Sequence, residues 1–174
     1  MSTSQHRDRE DRVRRLEKLA AENSPAVANY LRRRLYPLAP SDLDDLVEEV
    51  LVTVWRRLDA VPEDAALPWM IGVARNVLNN ARRGLRRRDA LVAGLLPPSD
   101  AASAEEHVVA DVTLAEAMAA LAPADREILL LHFWDGLDAA QLATVLSVSS
   151  NAAAVRLSRA QSRLREHLSR IENG

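Results

Sequence analysis

The chain has 174 residues, 48% hydrophobic and 28% charged, with a formal net charge of −2 at pH 7, a composition ordinary for a folded soluble protein. It has no cysteine, which excludes disulfides and thiolate metal sites, and its longest apolar runs are far short of a membrane span. With five Gly, three Trp, two Tyr and one Phe against abundant Ala, Leu and Arg, it is expected to be all-α.

Residues 8–22 (DREDRVRRLEKLAAE) predict a short, weakly amphipathic helix with Val13, Leu16 and Leu19 on one side. Ser24 as N-cap and Pro25 at the first helical position predict a restart, which Pro37 and Pro40 end. From Ser41 to Leu58, apolar residues at 43, 46, 47, 50, 51, 54, 55 and 58 follow the period of a core-facing helix. Ser41 with Asp44 predicts a capping box, acids fill the first turns, and Arg56 and Arg57 close the end. VPEDAALP reads as a loop, and a long helix is expected from about Pro68 through Arg88.

After Asp89, two adjacent prolines, small residues and acids show no sustained period. They predict a flexible linker over 91–110, between small helical domains at 1–90 and 111–174. Thr113 with Glu116 is expected to cap LAEAMAAL, and Pro123 to interrupt it. ADREILLLHFW reads as a helix stopped by DG, and Asp138 with Gln141 as the cap of AAQLATVL. A tight SVS follows, with Ser149 or Ser150 capping a last helix to about Ile171. Helix, short turn and basic second helix form a helix-turn-helix pattern in the C-terminal domain.

Charge is segregated in a way the net figure hides. DLDDLVEE (42–49) holds five acids and no base, while residues 65–88 hold six arginines and no acid. Residues 152–170 add five arginines against Glu166. On the last helix Ala153, Leu157, Ala160, Leu164 and Leu168 recur at core spacing, and Arg156, Arg159, Arg163, His167 and Arg170 are expected on the opposite face. Arg156 near a helix N-terminus opposes the dipole, a placement that suits a major-groove or phosphate contact. Asn76, Asn79 and Asn80 are poor helix formers crowded within one helix, and amides beside arginines suit base edges and phosphates.

Three stretches together resemble the extracytoplasmic-function (ECF) group of bacterial RNA polymerase sigma factors. SDLDDLVEEVLVTVWRRLDAV is similar to the group's core-polymerase-binding helix. LPWMIGVARNVLNNARRGLRRR is similar to its melted-promoter segment, and residues 121–165 to its C-terminal helix-turn-helix. The resemblance implies core-polymerase contacts by Asp44, Asp45, Leu46, Glu48 and Glu49. It implies −10 element contacts by Trp69, Arg75, Asn76, Asn79, Asn80, Arg82 and Arg83, with Asn76 at an unstacked base. It implies −35 contacts by Ser149, Ser150, Asn151, Arg156, Arg159 and Arg163. The implied partners are core RNA polymerase, promoter DNA and an anti-sigma factor, and the linker is expected to thread through the polymerase. Ala154 departs from the group, where Arg or Lys is frequent, as do Gln141 for a frequent Glu and Glu48 for a common Gln.

No enzyme site assembles from the sequence. The histidines at 6, 107, 132 and 167 lack metal-ligand spacing, and no Gly-rich phosphate loop or nucleophile motif occurs. No catalytic residue, metal or cofactor is therefore expected. The polar start MSTSQHRDRED lacks a signal-peptide core, so a cytoplasmic protein without membrane contact of its own is expected. The rival readings are a stand-alone helix-turn-helix regulator using residues 111–174 and an RNA-binding adaptor. The first leaves the acidic helix and the Trp69–Arg88 surface without a use.

Overall fold

The computed structural model describes residues 2–93 and 112–172, with side chains over 6–91 and 112–171. The described residues form helices and no strand, in two compact units, Met1–Pro97 and Pro98–Gly174.

The first unit contains α1 (Ser2–Arg33), α2 (Asp42–Arg56), a one-turn 3-10 helix (Leu58–Ala60) and α3 (Ala66–Ala93). Each of the three α-helices packs on the other two. α2 buries Leu46, Val50 and Val54, with Leu58 continuing the same four-residue spacing. Against them lie Val27, Tyr30 and Leu31 of α1 and Met70, Ala74, Val77 and Leu78 of α3.

Two local expectations fail in this unit. Residues 8–33 form one helix rather than two, with Pro25 inside it. Ser24 is no cap, since its hydroxyl is buried without a hydrogen-bond partner among the described residues. Pro25 itself is exposed, and burial of Val27, Tyr30 and Leu31 just beyond it keeps the chain helical despite the missing N–H. The Ser41–Asp44 capping box is also absent. Ser41 has helical φ and ψ (−64°, −20°) and makes no side-chain cap bond. The Asp42 carboxylate accepts from the Ala39 N–H at 2.9 Å, within the turn that leads into α2. α3 continues through Ala93, beyond the basic run, and the rest of the expected linker (94–110) lies outside the described residues, as does His107.

The second unit contains α4 (Val112–Ala119), α5 (Pro123–Phe133), α6 (Ala139–Leu146) and α7 (Ser150–Glu172). α7 packs on all three of the others. α4 already includes Thr113, so that residue stands inside the helix rather than capping it. Arg126 fastens the other end of α4, its Nε and Nη2 donating to the carbonyls of Met118, Ala119 and Leu121 at 2.9–3.2 Å. α5 ends at the DG turn, where Gly136 has φ +70°, a conformation that favours glycine. His132 Nδ1 donates across this turn to the Leu137 carbonyl at 2.7 Å. The Asp138–Gln141 capping box forms as the sequence predicts, with reciprocal bonds of 2.8 and 3.0 Å. Ser147 adopts the left-handed conformation (φ 54°, ψ 47°) that turns the chain sharply into α7. Ser149 is the cap of α7, its Oγ accepting from the Ala152 N–H at 3.1 Å.

Candidate nucleic-acid interface

α7 is placed by small residues. Ala153 and Ala160 are fully buried, with Leu157, Leu164 and Leu168 half-buried beside them. Seen down the helix, at about 100° per residue, Asn151, Val155, Ser158 and Ser162 lie opposite that seam, and all four are exposed. The arginines at 156, 159, 163 and 170 are exposed too, but they occupy a flank of α7 rather than the outermost face. The expectation that they stand opposite the core is therefore corrected. Arginines on a flank suit phosphates on one side of a groove, while the outermost short side chains can approach base edges.

Arg163 is further distinguished by a partner. Its Nη1 lies 2.5 Å from the carboxylate of Asp125, a largely buried residue of the first turn of α5. No ion pair holds Arg156 or Arg159 among the described residues. Sequence reasoning also passed over Val155, 40% exposed in the second turn of α7. The signal was available: an apolar residue at 155 breaks the spacing set by 153, 157 and 160. A branched apolar side chain there can meet a thymine methyl in a major groove.

In the first unit, α3 carries the second candidate face. Asn76, Asn80 and Arg83 are exposed, while Trp69, Arg75, Asn79 and Arg82 are half-buried. Arg83 donates to the Asn80 side chain at 2.5 Å, which orients that amide. The Trp69 ring has the Arg57 guanidinium 5.6 Å from its centroid. Arg82 turns back onto α1, its Nη2 donating to the carbonyls of Arg34 and, at 3.0 Å, Tyr36. It thereby closes the end of α1, just before the cis Tyr36–Pro37 peptide bond. Asn76 and Arg83 are left pointing outward, and Arg82 is committed to the fold.

The acidic face lies on α2. Asp44, Asp45, Glu48 and Glu49 are exposed, whereas Leu46 is only 4% exposed and belongs to the core. Leu46 thus holds the helix, and the four carboxylates form its outward surface. Among the described residues no group of His, Asp and Glu could hold a metal ion, and no helix is long and apolar enough to cross a membrane.

Residues 19–88 match Sigma-70 region 2, and residues 111–164 match Sigma-70, region 4. The RNA polymerase sigma-E factor of Streptomyces coelicolor is 30% identical over 139 residues, 78% of this chain and 76% of that protein. The "Probable RNA polymerase sigma factor RfaY" of Xanthomonas campestris pv. campestris is 32% identical over 134 residues, 72% of this chain; the match spans only 34% of its length. Among solved structures, the sigma factor RpoE of Bartonella quintana, in complex with the anti-sigma factor NepR, shares the fold with a TM-score of 0.59. That likeness covers 88% of this chain and 96% of the other at 21% identity. A helix-turn-helix unit, a separate three-helix unit with an amide-and-arginine face, and matches to both sigma regions leave one assignment: the chain belongs to the RNA polymerase sigma factors, in the ECF group.

Proposed function

We propose that the chain binds core RNA polymerase through the outward acids of α2 and directs it to bipartite promoters. The domain at 1–90 recognises and melts the −10 element with Asn76, Asn79, Asn80 and Arg83 of α3, and Trp69 and Arg75 support that face. The domain at 111–174 reads the −35 element with Ser150, Asn151 and Val155, while Arg156 and Arg159 hold phosphates. Arg82 and Arg163 act mainly within their own units. The chain is not itself a catalyst, since phosphodiester chemistry belongs to the polymerase. It works in the cytoplasm, and an anti-sigma factor is a further partner.

The observation that carries this reading is the exposed acidic face of α2 in the same unit as the exposed amides of α3. A stand-alone regulator built on residues 111–174 has no use for either surface. The deciding experiment is capture of core polymerase subunits by the purified chain, followed by promoter-directed transcription. Asp45→Arg with Glu49→Arg is expected to leave helicity intact and weaken competition for core. These acids otherwise act only on the α2 dipole, at about 0.3–1 kcal/mol each. Undiminished competition by the double variant would move the polymerase contact elsewhere.

A further inference from the structure

We propose that Arg12 and Arg15, on the N-terminal half of α1, are positioning residues that set the turn leading into α3 and, through it, the −10 reading face. The inference rests on the functional reading above. It adds two residues that precede residue 19, where the match to region 2 begins.

Arg12 grips the end of α2 and the turn after it. Its Nη1 donates to both carboxylate oxygens of Asp59 at 2.7 Å, and its Nη2 to the Trp55 carbonyl at 3.4 Å. The same guanidinium lies 5.2 Å from the centroid of the Trp55 ring. Three residues on, and so on the same face of α1, Arg15 Nη2 donates to the Val61 carbonyl at 2.9 Å. The segment held in this way is the 3-10 turn. It is closed internally by the Ala60 N–H to the Arg57 carbonyl (2.9 Å) and the Val61 N–H to the Leu58 carbonyl (3.2 Å). From this same segment Arg57 reaches over the Trp69 ring in the first turns of α3.

A continuous set of contacts therefore runs from α1 through the turn and Arg57 to Trp69, on the helix that carries Asn76. Solubility alone does not account for two arginines of one face converging on a single turn 46–47 residues away. Asp59 is 81% exposed, so its ion pair contributes little to global stability. What the two arginines fix is the course of the chain between α2 and α3.

The test uses the full chain with core polymerase and an Arg12→Ala/Arg15→Ala variant. The thermal midpoint and competition for core should stay at wild-type values. Hydrogen exchange across residues 57–65 should accelerate by roughly tenfold, as expected where local opening becomes easier. Discrimination between preferred and substituted −10 bases should shrink by about fivefold, less than a direct base contact supplies. The charge exchange Arg12→Asp with Asp59→Arg should restore most of the discrimination lost in Arg12→Asp alone. Unchanged discrimination despite faster exchange would overturn the inference, as would a uniform loss at every promoter together with lost core binding. Failure of the wild-type chain to initiate at any promoter would instead overturn the functional reading on which it rests.

Discussion

α3 and α7 each carry a row of arginines along a helix that also builds a core, yet the two rows do different things. On α3, Arg82 is turned inward onto the end of α1, and Arg83 braces Asn80. The exposed amides of Asn76 and Asn80 stand beside these arginines. On α7, Arg163 is held by Asp125, while Arg156 and Arg159 stand exposed on the flank. An arginine count thus measures neither face. The tertiary partner decides which guanidinium is left exposed, and the two faces are suited to different substrates. Amides on α3 fit the exposed edges of unpaired bases, whereas short side chains with flanking cations on α7 fit an intact duplex.

The separateness of the two faces can be broken first at their cores. Leu78→Ala in the first unit and Leu131→Ala in the second each remove a buried side chain and should cost about 2–5 kcal/mol. Calorimetry should register each loss in one transition only. A single transition lowered by both would mean that the units fold as one. The next effect concerns the amides. Asn76→Ala should relax preference at one −10 position by about 1–3 kcal/mol and slow open-complex formation, with core binding normal. Permanganate footprinting on a panel of −10 substitutions reads this directly, and an equal loss on every promoter would make Asn76 structural.

The arginine contrast is sharpened by salt. Arg159→Ala should reduce the slope of log affinity against log salt for duplex binding by about 0.9, one phosphate's share. Arg163→Ala should change that slope less and lower the melting point of the second unit, because its guanidinium is shared with Asp125. Equal slopes for both variants would erase the distinction. The smallest effects separate two capping motifs that look alike in the sequence. Asp138→Ala should destabilise the second unit by about 0.5–2 kcal/mol, whereas Ser41→Ala should stay within about 0.5 kcal/mol. Urea unfolding of the two variants measures the difference.

Those two motifs mark where the sequence was legible and where it was not. In the second unit three short helices and the start of α7 are set by strong local signals: Pro123, the DG turn, Asp138 with Gln141, and Ser149. Each acts over three or four residues. The Asp138–Gln141 box forms as read, Ser149 proves to be the cap where the sequence allows Ser149 or Ser150, and only the Thr113–Glu116 cap fails. In the first unit the decisive interactions span the fold. Pro25 is tolerated because residues beyond it are buried, and Ser41 has helical backbone and caps nothing. The amphipathic stripe of α2 was readable because its period is local. For the candidate site, the sequence located both basic helices but not the use of each arginine. Arg82 finds carbonyls 46–48 residues away, and Arg163 finds an acid 38 residues away. Neither partner leaves a trace in local spacing. Val155 is a different case: its signal is local, an apolar residue off the spacing of 153, 157 and 160, and its 40% exposure appears only in the fold.

Ala153 and Ala160 have a consequence beyond packing. Both are fully buried where α7 meets the rest of its unit, so the helix sits as close as a methyl group allows. That seam works like a shim beneath a blade, and its thickness sets how far Asn151 and Val155 project. A bulkier residue at 160 would cost about 1–3 kcal/mol of overpacking strain. It would also lift the proposed reading edge outward without altering any side chain on that edge. How far that edge projects is in this sense a property of the protein's interior.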